Sequence, residues 1–427
     1  MWNRRARRLL LAFSLVTGAQ AGQDSADLLR LAQSKILDSL NRLPRYMCTQ
    51  TIDRTMFAPD TRIAGSACTD GAVPSKTHPV TSDRLRLDVA KSDVEMYSWV
   101  GESHFNDHDI ADIVREGAIS NGSFVGFLTQ IFSTDAADFT YNGEVTRDGR
   151  ALSEFGFKVA PETSHYIFNN RNRRMTIGYE GSFLVDPVTA DLVQLVVTST
   201  SVPDQTTCSL STTLDYERVN LQGIDFLLPS ATLLRILNSD GSSSVNRTAF
   251  SGCHEFHGES TLSFDEPSQA PAGKVPAIVA PPEIPPGLPF RIALVQKIDT
   301  ASAATGDVVK CKLVTPIGTG SKVTIPSGSA VGARIVRIRR FYGSAPYVAL
   351  DLKLETVAAG SGPIPLIAKP DLSSRFEQAK ARELHQRVVL GTLSSIESHA
   401  APFIFRTDRQ QYVIDSGLES SWVTTER

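Results

Sequence analysis

"FTYNGEVTRDGRALSEFGFKV", residues 139–159, decides the fold class of this chain. Two arms of alternating apolar and polar residues flank Asp148-Gly149, a pair that tolerates the positive φ demanded by a two-residue hairpin turn. The stretch therefore reads as an antiparallel hairpin. The same pattern recurs on both sides of it. "RLRLDV" sets Leu85, Leu87 and Val89 against Arg84, Arg86 and Asp88, giving one buried and one wet face. Asn238-Ser239-Asp240-Gly241 predicts a later hairpin, and Gly181, Asp186-Pro187 and Gly223 punctuate further strands.

Two segments break the strand pattern. In "DSADLLRLAQSKILDSLNRLP" (24–44) Leu28, Leu31, Ala32, Ile36, Leu40 and Leu43 fall at helical spacing, with Asp24 or Ser25 as cap and Pro44 as stop. "NGSFVGFLTQIF" (121–132) places Phe124, Phe127, Leu128 and Ile131 on one helical face, with Asn121 or Ser123 as cap. A greasy helix inside a long meander requires a sheet face to lie in. Phe124, Phe127, Phe139 and Tyr141 are the expected lining of that face, as a ligand site or as plain core.

Proline-rich "DEPSQAPAGKVPAIVAPPEIPPGLP" (265–289) cannot enter a sheet interior, because its prolines remove backbone donors and favour extended geometry. It predicts a domain from 24 to 264, a linker over 265–282 and a second domain from 283 to 425. That second domain is β by pattern. "YVALDLKLETV" places Val348, Leu350, Leu352 and Leu354 on one face, with Asp351, Lys353 and Glu355 on the other. "DLSSRFEQAKARELHQRVVLGTL" (371–393) predicts one helix there. The basic run "RIVRIRR" (334–340) reads as a solvated strand face. The fold class expected is mainly β (α+β): a curved antiparallel half-barrel with one or two helices, then a small β-barrel with one helix.

The N-terminus predicts export. Arg4, Arg5, Arg7 and Arg8 precede an apolar run from Leu9 to Val16 and then Ala19-Gln20-Ala21, the order of a signal peptide cut after Ala21. The run falls short of the ~20 residues needed to span a bilayer, so no transmembrane segment is expected in the mature chain. The expected location is periplasmic or secreted. A net charge of −3 with 21% charged residues, and no basic stripe interleaved with aromatics, excludes a nucleic-acid footprint.

Cys48, Cys68, Cys208 and Cys253 are expected to be bridged in an oxidising compartment, and four cysteines allow three pairings. Cys48 with Cys68 is the easiest pairing to accept, leaving Cys208 with Cys253. A simple meander separates that second pair by roughly 26 Å, at ~3.3 Å per residue, and a bridge allows only ~4.4–6.8 Å between α-carbons. The connectivity of Cys208 and Cys253 stays open at this point. Cys311 shares a strand face with Val309 and Leu313 and reads as a buried thiol.

"SGCHEFHGES" (251–260) invites a metal reading, and alternation weighs against it. Cys253, Glu255, His257 and Glu259 share one strand face while His254 and Phe256 share the other, and "HEFH" lacks the one-turn spacing of a helical zinc motif. "ESHFNDHD" (102–109) reads as a polar loop. No nucleophile elbow, phosphate loop or dinucleotide fingerprint occurs. No catalytic residue, metal or cofactor is expected.

Five stretches carry three resemblances. "GSFLVDPVTADLVQLVVTS" (181–199) and "LDYERVNLQGIDFLLPSATLLRIL" (214–237) resemble strand pairs of the LolA-like lipoprotein carriers, which implies an open β-barrel. "LPRYMCTQTIDR" (43–54) is similar to the opening of a group of exported bacterial envelope proteins. "IPPGLPFRIALVQKIDTASAATGDVVKCKLVTPI" (284–317), with "VTIPSGSAVGARI" (323–335), resembles the β-barrel of TrbI-like conjugation scaffolds. Two expectations follow. One is a non-catalytic exported protein that binds a lipid, another apolar ligand or an envelope component in a half-barrel. The alternative is a structural or assembly component with an envelope protein as partner.

Overall fold

A computed structural model describes the chain apart from residues 1–16, 62–65, 67, 69–75, 92–94, 103–104, 106–109, 115, 120–124, 134, 171–172, 200–205, 256–283, 320–321, 361, 372–398, 410 and 427. In chain order the helices are α1 (Thr17–Arg42), α2 (Ile110–Ile113) and α3 (Gly126–Phe132). The first strands are β1 (Tyr46–Pro59), β2 (Thr77–Lys91), β3 (Glu95–Trp99), β4 (Ala137–Arg147), β5 (Arg150–Val159), β6 (Ile167–Asn170), β7 (Arg173–Thr176), β8 (Tyr179–Val185), β9 (Leu192–Ser199), β10 (Thr207–Leu221), β11 (Ile224–Asn238) and β12 (Ser243–Glu255). Then come β13 (Pro289–Leu294), β14 (Ile298–Asp299), β15 (Val308–Leu313), β16 (Ile317–Thr319), β17 (Lys322–Ile325), β18 (Ala330–Phe341), β19 (Tyr347–Ala359), β20 (Gly362–Pro365), β21 (Ala368–Pro370), β22 (Ala400–Arg406), β23 (Val413–Ile414) and β24 (Glu419–Thr424). The fold is mainly β with antiparallel pairing and few helices, as expected. Among the described residues no helix is long and apolar enough to cross a membrane. The Pro-rich segment up to residue 283 and the helix expected over 371–393 (beyond Asp371) lie outside the described residues.

The chain forms two compact units, and each is discontinuous. Met1–Pro44 joins Gly122–Leu234, and Arg45–Asn121 joins Arg235–Arg427.

In the first unit β4, β5, β8, β9 and β10 pair in that order, all antiparallel. Asp148 and Gly149 turn β4 into β5 with φ of 51° and 75°, the conformation that the sequence demanded. Asp186 builds the next corner by accepting backbone N–H bonds from Val188 (2.8 Å) and Thr189 (3.1 Å). α1 packs a stripe of Leu28, Ala32, Ile36 and Leu40 onto the core. Leu31, expected on that face, is 53% exposed, because at 3.6 residues per turn it points well over 90° from the middle of the stripe.

In the second unit β12, β1, β2 and β3 pair in that order. Cys48 on β1 is bonded to Cys253 on β12, beside a register shift between Met47 and Thr49. This corrects the Cys48–Cys68 pairing. A chain-order meander does not set β1 beside β12, but closing the strand order does, and the two cysteines then lie at one level. Cys68 and Cys208 are disulfide-bonded as well.

The rest of that unit is a run of antiparallel strands in the order β22, β19, β18, β15, β13, β24, β21. Its core holds Phe290, Ile335, Leu350, Phe405 and the fully buried Trp422. Cys311 is free and buried there. β18 reaches across to β2, pairing Arg339 with Asp83 and Phe341 with Thr81. Thr305 adds a two-way exchange: it accepts from the Arg86 N–H and donates to the Arg84 carbonyl, both at 2.8 Å. Arg84 and Arg86, expected on a wet face, instead reach the Ala301 carbonyl (2.6 Å) and the Asp307 carboxylate.

The joint also overturns the solvated reading of "RIVRIRR". Arg334 and Arg337 are buried, at 4% and 6% exposure. A register shift between Ile335 and Arg337 breaks the alternation of β18. Arg337 then pairs with Asp351 at 2.8 Å, and Asp351 is buried although its sequence pattern placed it outside. Arg334 Nε donates to Glu355 at 2.6 Å. One carboxylate serves two arginines: Arg54 donates from Nε and Nη2 to Asp83 (2.7 Å each), and Arg339 donates from Nε and Nη2 to the same group (3.0 and 2.8 Å). Arginine and carboxylate match in this way because the planar fork presents parallel donors.

Candidate functional site

The first unit carries one continuous layer of aromatic rings. Phe155, Phe157, Tyr179 and Phe183 come from the sheet, and their side chains share a face because residues two apart in a strand point the same way. Phe139 and Tyr141 join from β4, opposite Phe157 and Phe155 respectively. α3 lays Phe127 and Phe132 onto this face, and Tyr166 closes one side. Ring centroids lie 5.1 Å apart for Phe132 and Phe183, 5.2 Å for Phe127 and Tyr166, and 5.4 Å for Phe155 and Phe183. Most pairs are edge-to-face, the arrangement that the ring quadrupole favours.

The cover over this layer is slight. α3 has seven residues, and its N-cap, Val125, makes no side-chain cap hydrogen bond. Helices this short are unstable alone and depend on packing. Apart from its apolar contacts, α3 is held by Gln130, whose Nε2 donates to the Thr163 carbonyl at 3.0 Å and whose Oε1 meets His165 Nδ1. Ala32 and Ile36 of α1 share the same core.

Buried hydroxyls edge the apolar layer. Burial pushes the Tyr166 phenol up to about 12, opposed by its hydrogen bond with Thr212. Burial also raises Tyr179 and, more strongly, Tyr216. The Tyr216 hydroxyl is buried and has no hydrogen-bond partner among the described residues. A phenol in such a place stays protonated and can only donate or accept a hydrogen bond.

The four residues expected to line an apolar site are placed unequally. Phe127 is buried in the core cluster, Phe139 packs partly buried against it, and Tyr141 is 42% exposed with its ring 5.3 Å from Phe155. Phe124 lies outside the described residues, as do the expected caps Asn121 and Ser123. Phe155, Phe157 and Phe183 form the floor of the layer and were missed, although "EFGFKV" and "GSFLV" display them at two-residue spacing.

The other candidate clusters carry less. Cys253 spends its sulfur on Cys48, so the thiolate that a metal reading of "SGCHEFHGES" needs is absent. His257 and Glu259, and the His104–Asp109 group, lie outside the described residues. Among the described residues no three His, Cys, Asp or Glu side chains gather as a metal site would require.

No family model matches the chain, and no curated protein matches it. Among solved structures it is similar to a DUF1329 family protein from Desulfovibrio piger, with 10% identity and a TM-score of 0.26 over 54% of this chain and 94% of that one. It is also similar to a LolA superfamily protein from Nitrosomonas europaea, with 12% identity and a TM-score of 0.25 over 53% and 94%. Scores this low transfer neither shape nor role.

Proposed function

We propose that the chain is a non-catalytic exported protein of the cell envelope that holds an apolar ligand, a lipid or an acyl group, against the aromatic layer of its first unit. One observation carries this reading: an apolar face of seven rings is covered by a seven-residue helix that adds two more, Phe127 and Phe132, and has no side-chain N-cap. Such a cover gives up little of its own stability when it lifts, and the rings beneath offer an acyl chain the same apolar contacts that Phe127 and Phe132 make. Phe139 and Tyr141 would stand at the edge of the opened face.

Export is supported by the Cys48–Cys253 bond, which persists in oxidising compartments. The reading carries with it cleavage after Ala21. N-terminal sequencing of the mature protein tests that step.

Native mass spectrometry of protein taken from the periplasm tests the ligand. One acyl-bearing species per chain is the expected result. A bare chain that also fails to bind N-phenyl-1-naphthylamine saturably overturns the reading.

A second reading, an assembly component of the envelope, is favoured by the joint between β2 and β18, which locks residues on either side of the Pro-rich segment into one unit. It extends the resemblance to conjugation-scaffold barrels. A ring-sized mass in the same experiment would favour it.

A further inference from the structure

Within the second unit, Arg54, Asp83, Trp99, Thr305, Arg337 and Arg339 surround a pocket of about 50 Å³. That is room for more than a single water, and far below the ~300–1,000 Å³ of sites for drug-sized ligands. Its charges are unevenly placed. Three guanidiniums meet two buried carboxylates, Arg54 and Arg339 at Asp83 and Arg337 at Asp351. The third carboxylate, Glu116, meets Arg339 Nη1 at 2.8 Å from the rim and is 46% exposed.

One donor in the wall is unmet. Arg337 has a side-chain exposure of 7% and is tied to Asp351 through Nη2, yet its Nε–H has no hydrogen-bond partner among the described residues. An unpaired charged donor in a buried wall is costly and calls for an acceptor. Thr305 stands nearby with its Oγ accepting from the Ile338 N–H at 3.2 Å, which leaves its own O–H to donate. The remaining wall is apolar, formed by Leu85, Val114 and Val336 with the Trp99 ring.

We propose that this pocket binds a short aliphatic carboxylate. Its charged end would meet Arg337 Nε and the Thr305 hydroxyl, and its one or two carbons would lie against Trp99 and Val336. A carboxylate suits the site because a charged acceptor forms a short, strong hydrogen bond with a guanidinium N–H, and its second oxygen can accept from the Thr305 hydroxyl. Glu116 already presents such a group to Arg339, and an incoming carboxylate would compete with it. The chemistry is shared by a free small acid and by an acidic side chain on a partner protein.

Trp99 in the pocket wall supplies the readout. Full-length oxidised protein at pH 7 and constant ionic strength would be titrated with sodium acetate, with sodium chloride as the control, while tryptophan emission is followed. The expected result is a saturable change with acetate, absent with chloride and absent in Trp99→Phe. Val336→Phe fills the pocket without touching an ion pair and should abolish it. Arg337→Lys keeps the charge opposite Asp351 but removes the Nε donor, and should weaken binding at least tenfold. If Arg337→Lys fails to fold by circular dichroism, Val336→Phe decides. An acetate response equal to that of chloride, or one unchanged in Val336→Phe, overturns the proposal. Tighter binding of an N-acetyl-aspartyl peptide amide than of acetate assigns the site to a partner's side chain; the reverse assigns it to a free acid.

Discussion

Cys48 is bonded to Cys253 across 205 positions of sequence, and the bond ties the first strand of the second unit to the strand that ends just before the Pro-rich segment. Loop-closure entropy gives such a bond a large effect. Replacing both cysteines with serine should lower stability by about 2–5 kcal/mol, measured as a shift in the midpoint of urea unfolding. An unchanged midpoint would mean that β1 and β12 hold together on backbone bonds alone.

Asp83 bears two arginines at once, so its loss strands both. Asp83→Ala should cost about 3–5 kcal/mol, the range for breaking a buried pair, since its side chain and that of Arg54 are each 8% exposed. Removing Asp27 from its exposed pair with Arg30 on α1 should change stability by less than about 1 kcal/mol. Thermal melting of the two variants side by side distinguishes a structural clamp from a surface contact.

Gly306 is where the backbone of the joint comes closest. It sits at φ +103°, and a β-carbon there would lie 2.3 Å from the Arg86 carbonyl oxygen and 2.7 Å from the Trp99 ring. Gly306→Ala should therefore destabilise by at least about 1–3 kcal/mol. Calorimetry would show it, and Trp99 emission should shift in the same variant.

Alkaline pH should loosen the first unit. Burial raises the Tyr166 phenol from its ordinary 10 to about 12, so the folded state holds this proton more tightly than the unfolded one. The stability that follows is fully present below pH 10 and is lost as pH rises through 12. Phenolate absorbance near 295 nm should lag behind that of free tyrosine over this window, then rise together with unfolding. Ordinary titration of every tyrosine near pH 10 in folded protein would contradict the burial.

Cys311 should be silent to thiol reagents. Burial pushes its thiol up to about 12, and reactivity needs the thiolate. Iodoacetamide at pH 8 should leave folded protein unlabelled and modify one site once urea is added. Labelling of the folded chain would mean that the core around Cys311 opens locally.

Local signals were legible and partner choice was not. Asp148-Gly149 announced its turn because the required φ values depend on those two residues alone. The aromatic layer was only half visible, since counting back from that turn pairs Phe139 with Lys158. A register shift between Tyr141 and Gly143, with Gly143 at φ +110°, pairs Phe139 with Phe157 instead. One extra residue in a strand flips its neighbours to the other face. The arginines of β18 looked like a wet surface for a similar reason: alternation tells which residues share a face, not what covers it. The loops at Val100 and Gly306 meet it, since Arg334 Nη1 donates to both carbonyls, and nothing in these segments alone encodes that meeting.

The strand order of the second unit also dictates when the protein can fold. Tyr46 waits for Glu255, and Asp83 waits for Arg339. As the chain leaves the ribosome, the outer edge of β1 therefore has no partner until β12 arrives, and the Asp83 end of β2 lacks β18 until residue 339. Pairings this distant in sequence fold slowly and leave strand edges open meanwhile. β1 and β2 are thus the part of the molecule with most need of a chaperone, and a chain cut short before residue 255 should aggregate through β1.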